Sequence, residues 1–319
     1  SVLEGAITKN AIPHAMIFSG TRGTGKTTMA RIVAKELGVA EVDCYEIDAA
    51  SNRGIDDVRE LKEAVHTLPY QSDYKVYIID EVHMLTKEAF NALLKTIEEP
   101  PAHVVFMMAT TEIDKVLDTI LSRCQVFTLH SPSRAVLAKT VTDVAQKEGF
   151  ELKPAAADMI AIAADGSFRD ALGVLQKVIL ASGDTIGEPD EVAAIIGAPK
   201  SAALEALLKA LQEKDAEAGL KAIAEAVATQ TDMQLFTRLL LERLRAVMLV
   251  RNAPAQKDEI LSQLPPSGAE QVEQLATEKA TPLNSHLLLR ALEIAQLVRR
   301  SSVPQLPLEV LVVEVCATE

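Results

Sequence analysis

The sequence predicts an α/β domain with a parallel sheet and helices on both of its faces, followed by a small helical domain and a longer all-helical one. Three observations predict this. Up to about residue 131, short apolar runs alternate with helix-like stretches. From Ser133 onward the apolar runs stop and only amphipathic helical patterns continue. Aromatics are scarce, with 7 Phe, 4 Tyr and no Trp in 319 residues, while apolar residues reach 48%, so Ala, Leu, Ile and Val must fill the interior. Buried strands that alternate with crossover helices give a parallel sheet covered on both faces.

Ala15-Met16-Ile17-Phe18-Ser19 is an apolar run stopped by glycine and reads as the first strand. A helix pattern runs from Lys26 to Leu37. Tyr45 to Asp48 reads as a strand, and Asp56 to Val65 as a helix with Val58, Leu61 and Val65 on one face. Lys75 to Ile79 is a strand, Lys87 to Ile97 a helix and Val104 to Ala109 another strand. Beyond them Arg134 to Lys147, Pro154 to Ala164, Ser167 to Ala181 and Pro189 to Ile196 read as helices. After a break at Gly197-Ala198-Pro199, long amphipathic helices run from Lys200 to the end, punctuated by Pro265-Pro266, Pro282 and Pro304 to Pro307. Boundaries near 132 and 198 divide the chain into 1–131, 132–197 and 198–319, in keeping with its length.

Composition excludes several classes. With 32 Lys and Arg against 45 Asp and Glu, the net charge is −13, which argues against a generally basic polyanion-binding surface but leaves room for a local basic lining. The three cysteines, Cys44, Cys124 and Cys316, form no Cys-x-x-Cys pair, so neither a four-thiolate zinc site nor a secreted disulfide framework is expected. The longest apolar stretch, Val104 to Ala109, is far short of the roughly 20 residues of a membrane span. No basic region followed by an apolar run opens the sequence. A reducing cytoplasm and no membrane partner are therefore expected.

Gly20-Thr21-Arg22-Gly23-Thr24-Gly25-Lys26-Thr27 fits the phosphate-loop pattern G-x-x-x-x-G-K-[ST] in full, after a strand and at the start of a helix. Gly20, Gly23, Thr24 and Gly25 let backbone N–H groups turn inward around phosphates, and the helix N-terminus adds partial positive charge. Lys26 can reach the β- and γ-phosphates, Thr27 can ligate Mg²⁺, and Thr28 follows as a further nucleotide contact. Val76-Tyr77-Ile78-Ile79-Asp80-Glu81 then ends a strand in two acids beside the loop. Asp80 suits the metal through its water shell, and Glu81 suits the attacking water. His83 follows at once; phosphate-loop hydrolysis does not need a histidine base, so His83 reads as structural.

Asp80-Glu81-Val82-His83-Met84-Leu85, then Phe90-Asn91-Ala92-Leu93-Leu94-Lys95-Thr96-Ile97-Glu98-Glu99-Pro100-Pro101, resembles the AAA+ ATPases of bacterial DNA clamp loaders. Ala109-Thr110-Thr111, Leu121-Ser122-Arg123-Cys124 and Gly166-Ser167-Phe168-Arg169-Asp170-Ala171-Leu172 match the family's sensor 1, Ser-Arg-Cys and sensor 2 segments in order. The match is dense from His14 to about Leu180, thins in the last third and returns weakly at Leu306-Pro307-Leu308-Glu309. The resemblance implies an AAA+ core, a helical lid and an oligomerising collar. It implies an ATP-hydrolysing motor subunit of the DNA polymerase III holoenzyme that opens a sliding clamp and places it on primed DNA. It implies as partners delta- and delta-prime-type subunits, further copies of the chain, the clamp and primed-template DNA, and a bacterial, nucleoid-associated setting.

The resemblance also implies residue roles. Arg123 is then an arginine finger acting in trans on a neighbour's nucleotide, the alternative being a surface or salt-bridged arginine. Arg169 is sensor 2, the alternative being a pair with Asp165 or Asp170. Thr111 is sensor 1, with Thr110 in competition because strand alternation sends the two side chains to opposite faces. Asn52, Arg53, Lys95 and Lys115 are candidate phosphate contacts to DNA, with no aromatic between them for base stacking. Relative to the family, the link from Leu37 to Tyr45 lacks the zinc-binding insertion, so no zinc is expected. The sequence starts at Ser1-Val2-Leu3-Glu4, past where the family's basic adenine-contacting segment would lie, and lacks the long C-terminal extension of some members. Another AAA+ DNA machine, for branch migration or replication repair, is the first competing reading. An ATP-binding structural subunit with low turnover is the second, against which the presence of Lys26 and Glu81 counts.

Overall fold

Five strands form one sheet in the order β2-β3-β4-β1-β5, with every neighbouring pair parallel. They are β1 (Ala15–Ser19), β2 (Cys44–Asp48), β3 (Lys75–Asp80), β4 (Val104–Thr110) and β5 (Gln125–Thr128). The computed structural model describes residues 3, 5, 12–182, 189–199, 201–261, 264, 266–278 and 281–317. Of the segments read from the sequence, Ser1, Val2, Glu4, Lys200 and Pro265 lie outside the described residues.

Helices α1 (Lys26–Glu36), α2 (Ile55–Val65) and α3 (Lys87–Glu98) connect the strands, and the short α4 (Asp118–Leu121) precedes β5. The sheet's side chains alternate between two cores. Ile17, Tyr77, Ile79, Phe106 and Met108 pack on one face with Leu61 of α2 and Leu93 and Ile97 of α3. Met16, Phe18, Val76, Ile78, Val105 and Met107 pack on the other with Ala30 and Val33 of α1. Burial on both faces is why β1, β3 and β4 read as unbroken apolar runs. The strand β5 was not among the expected elements. It lies at the sheet edge, three of its four residues are exposed, and its one anchoring ring, Phe127, stacks on Phe18 with centroids 5.7 Å apart. An exposed edge strand of four residues has no pattern to announce it.

Two buried charges fix the connection from α2 to β3. Asp43 is fully buried and accepts the backbone N–H groups of Tyr70, Gln71 and Ser72 at 2.6, 2.8 and 2.8 Å. Lys75 is 2% exposed, and its Nζ donates to Ala64 O at 2.8 Å and Thr67 Oγ1 at 2.7 Å. Such groups tolerate burial only because their hydrogen bonds are met.

The chain divides into two compact units, residues 1–144 with 160–175, and 145–159 with 176–319. Helices α5 (Arg134–Lys147), α6 (Pro154–Ala163) and α7 (Phe168–Ser182) carry the chain between them, and α8 (Pro189–Ile196) follows. The second unit is helical among the described residues outside the Leu152 bridge. Its core joins Leu207, Leu208 and Leu211 of α9 (Ser201–Glu213), Ile223 of α10 (Ala216–Ala228), Phe236, Leu240 and Val247 of α11 (Met233–Asn252), Ile294 of α14 (Ser285–Val298) and Leu308 and Leu311 of α15 (Leu306–Ala317). The shorter α12 (Lys257–Leu261) and α13 (Pro266–Thr277) lie between α11 and α14 in the chain. Asp215, Asp232 and Asn284 cap α10, α11 and α14 through their side chains. At Gly219 of α10 an added Cβ would stand 2.7 Å from Val312 Cγ1, so any larger residue would force Val312 of α15 to shift.

Candidate functional site

The site forms at the carboxyl end of the sheet, where parallel strands deliver their loops to one edge. The loop after β1 turns into α1 through Gly25 in the left-handed region (φ 90°), with no side chain capping the helix. The first-turn amides of α1 are thus left for an external acceptor. Lys26 Nζ lies over the loop and donates to Gly20 O and Thr21 O, each at 3.0 Å. Thr24 Oγ1 donates to Thr21 O at 2.8 Å. Burial pushes the Lys26 pKa down; the Glu81 and Asp80 carboxylates draw it back, and the Arg169 guanidinium presses it lower.

Two strands away, β3 ends at Asp80, and Thr27 Oγ1 donates to Asp80 Oδ2 at 2.8 Å. The two expected metal ligands, 53 positions apart in sequence, are therefore side by side. Asp80 Oδ1 accepts the Glu81 backbone N–H at 2.9 Å, which sets Glu81 in the left-handed region at φ 48°. A non-glycine residue held there costs on the order of 1–3 kcal/mol, a cost the surrounding turn must sustain. Glu81 Oε2 accepts the Thr111 hydroxyl at 3.0 Å. Thr110 is fully buried, with its hydroxyl 2.9 Å from His83 Nδ1. Of the two adjacent threonines, Thr111 is thus the one on Glu81.

Arg169 stands exposed on the first turn of α7, near enough to Lys26 to affect its charge. Just before it, Phe168 N donates to Gly23 O at 2.9 Å, and a Cβ on Gly23 would stand 1.9 Å from Ser167 Oγ. Thr21 Oγ1 is 3.0 Å from Ser131 Oγ. Ser131 and Ser167 therefore line the loop; Ser167 lies in the segment matched to sensor 2 but was given no role there, and no spacing in the sequence marked Ser131. Arg123 is not brought to this loop: its Nε pairs with Glu98 Oε1 at 2.6 Å, and its Nη1 donates to Thr119 O at 2.7 Å and Ser122 Oγ at 3.0 Å. Glu98 as its partner had no signal beyond its charge.

The four candidate DNA contacts do not share a single setting. Asn52 Nδ2 donates to Asp48 O at 3.0 Å and Arg53 Nε to Ala50 O at 2.7 Å, in the turn before α2. Lys95 is exposed on α3, and Lys115 pairs with Glu112 at 2.7 Å. Thr28, on the first turn of α1, is exposed.

A phosphate loop leading from the first strand, acids at the end of β3 and a helical segment bearing an arginine define a P-loop protein of the AAA+ class. Solved structures of the Thermotoga maritima RuvB Holliday junction branch migration motor share this fold, with a TM-score of 0.51 and 22% identity over 66% of this chain and 72% of theirs. Three families match successive stretches: "DNA polymerase III, delta subunit" over 41–133, "DNA polymerase III clamp loader subunit, ATPase lid domain" over 137–184, and "DNA polymerase III subunits gamma and tau domain III" over 188–319. The tau subunit of Bacillus subtilis DNA polymerase III is 33% identical over 99% of this chain, and the gamma/tau subunit of Mycobacterium tuberculosis 34% over 99%. The Escherichia coli tau subunit is 37% identical over 80%. The chain belongs to the gamma/tau family of DNA polymerase III clamp-loader subunits. It spans 59%, 58% and 43% of the lengths of those three relatives.

Proposed function

We propose that this chain is the ATP-hydrolysing motor subunit of a sliding-clamp loader, which opens the processivity clamp and places it on primed DNA. The observation that carries the reading is the 2.8 Å contact between Thr27 Oγ1 and Asp80 Oδ2 beneath the Lys26 loop, with Glu81 beside it. A hydroxyl and a carboxylate are hard oxygen donors that suit Mg²⁺, with nucleotide phosphates to complete its shell. Bound there, the ion would neutralise charge on the β- and γ-phosphates. Gly20, Gly23, Thr24, Gly25, Lys26, Thr27 and Thr28 hold the phosphates. Glu81 orients the attacking water and Thr111 holds Glu81 as sensor 1. Arg169 contacts the γ-phosphate from the lid. Zinc has no part in the proposal.

Arg123 serves a neighbour's site in trans. What supports this is that Arg123 lies exposed and makes no contact with its own chain's phosphate loop; the pairing with Glu98 and Thr119 is one that a neighbour's phosphates would have to displace. The working parts are a core (1–131), a lid (132–197) and a collar (198–319), a division close to the family segments. Delta- and delta-prime-type subunits, further copies of this chain, the clamp and primed DNA are its partners, the last through Asn52, Arg53, Lys95 and Lys115 in the bacterial cytoplasm. The test is ATP hydrolysis by the assembled complex with and without clamp and primed DNA. Strong stimulation by the two together is expected. Hydrolysis indifferent to both overturns the loader reading, and absence of ATP binding overturns the site itself.

A further inference from the structure

His83 lies three residues past Asp80, in the 3₁₀ turn Val82–Met84, and its side chain is only 5% exposed. The chemistry proposed above gives it no task, yet polar groups from two strand ends meet on its ring. Nδ1 lies 2.9 Å from Thr110 Oγ1 and 3.5 Å from Glu81 Oε2. Nε2 lies 3.4 Å from Glu112 Oε1. Glu112 donates its backbone N–H to Thr110 Oγ1 at 3.0 Å, and its other oxygen pairs with Lys115 Nζ at 2.7 Å. Nδ1 therefore has Thr110 as its hydrogen-bond partner and Nε2 faces Glu112, which fixes the ring, while Glu81 Oε2 packs against the Nδ1 edge at a longer distance.

Glu81 needs such a neighbour. Its side chain is 33% exposed, and glutamate has three rotatable bonds that a half-open site leaves free. Both groups that face it do so at Oε2: Thr111 donates to it, and the edge of the His83 ring packs against it. Oε1 has no partner among the described residues and remains available. We propose that His83 is a positioning residue: anchored by Thr110 and Glu112, its ring edge confines Glu81 to the rotamer from which Oε1 meets the attacking water. The inference rests on the reading of Glu81 as the residue that orients that water. A histidine that merely fills space would cost stability when replaced, without a selective loss of turnover.

The test uses the full chain in its assembled complex. ATP affinity, single-turnover hydrolysis and thermal midpoint are measured for His83→Leu, His83→Asn, Glu112→Ala and Glu81→Gln. His83→Leu should slow turnover about a hundredfold, the scale of a small misplacement of a reacting group, and leave ATP affinity within about twofold. His83→Asn keeps a polar group near the Nδ1 position that can bond Thr110 and so stay anchored, and should recover about tenfold of that loss. Glu112→Ala, at a half-exposed position that threatens folding little, should slow turnover about tenfold with affinity unchanged. Wild-type turnover in both His83→Leu and Glu112→Ala overturns the inference. So does a rate that falls only in step with ATP affinity and thermal midpoint, or an Asn variant no better than Leu. Undiminished turnover in Glu81→Gln overturns the reading of Glu81 instead, and is scored independently of His83.

Discussion

Lys26 carries its charge where burial disfavours it: the residue is 7% exposed, and desolvation pulls its pKa below the ordinary lysine value. A lowered folded pKa makes the charged form costly to the nucleotide-free protein at every pH below it, a cost that fades as pH rises through that value. Lys26→Met should therefore lose nucleotide affinity without lowering the thermal midpoint of the nucleotide-free protein, and any gain should shrink as pH rises toward the ordinary lysine value. Calorimetric titration and pH-resolved melting check both parts. Glu81→Gln should keep ATP affinity and lose about 10²–10³-fold in turnover, since an amide cannot accept the water's proton; single-turnover hydrolysis reads this out. Lys26, Thr27, Asp80 and Glu81 were legible because loop chemistry imposes their spacing. The choice between Thr110 and Thr111 was not, because alternation says that they diverge but not which one meets Glu81. Ser131 reaches the loop through tertiary contact and left no trace in local pattern, and Ser167 stood in the segment matched to sensor 2 without anything to mark its contact with Gly23.

Among the elements, the strands buried on both faces were readable to within a residue or two, and the edge strand β5 was not. The loop between α2 and β3 shows why polar positions are harder to read than apolar ones. Asp43 lies in a 3₁₀ turn with no recognisable motif, yet it takes three backbone N–H groups from a loop 27 to 29 positions later. Burial pushes its carboxyl pKa up, but those hydrogen bonds outweigh it and the net shift is downward. A depressed carboxylate pKa contributes stability that is present above the unfolded value and lost as pH falls through the folded one. Asp43→Asn should accordingly lower the thermal midpoint at neutral pH, with the gap to wild type closing in acid. A gap that widened in acid would contradict this account. Gly23 is a second case: φ is +78° and a Cβ would strike Ser167 Oγ. Gly23→Ala should push the Ser167–Phe168 turn off the phosphate loop and weaken ATP binding, seen as lost protection of the Phe168 amide in hydrogen exchange.

At the scale of the whole molecule, the proposed assembly makes one chain's defect another chain's deficit. Arg123→Ala should leave ATP binding to the chain nearly unchanged while hydrolysis by the complex falls about 10³-fold or more, as for other arginine fingers. Mixing Arg123→Ala with Glu81→Gln chains should restore part of the activity, because one supplies the finger and the other an intact Glu81. A mixture that co-assembles by sizing yet stays inactive would place Arg123 in cis. The second unit bears on the same assembly. On α15, Leu306, Val310 and Val313 are 48%, 41% and 49% exposed along one stripe, opposite the buried Leu308 and Leu311. Charged substitutions at Val310 and Val313 should shift the sizing profile toward smaller species without changing the helical content. The helical character of this region was plain from its sequence; the outward stripe was not, because α15 is apolar nearly all round.

The pairing of β1 with β4 sets Ser19 level with Thr110, so the phosphate loop and the Thr111 turn leave the sheet from the same rung. A strand has a period of two, and that rung therefore works as a parity bit for the site. Removing one residue from within β4 would turn the buried threonine outward and the Glu81-facing threonine inward, with no residue of the site itself changed. The links at the opposite end of the sheet, such as the one between α1 and β2, carry no such constraint. Over evolutionary time, insertions and deletions should therefore accumulate on the amino-terminal side of these strands and be purged from their interiors.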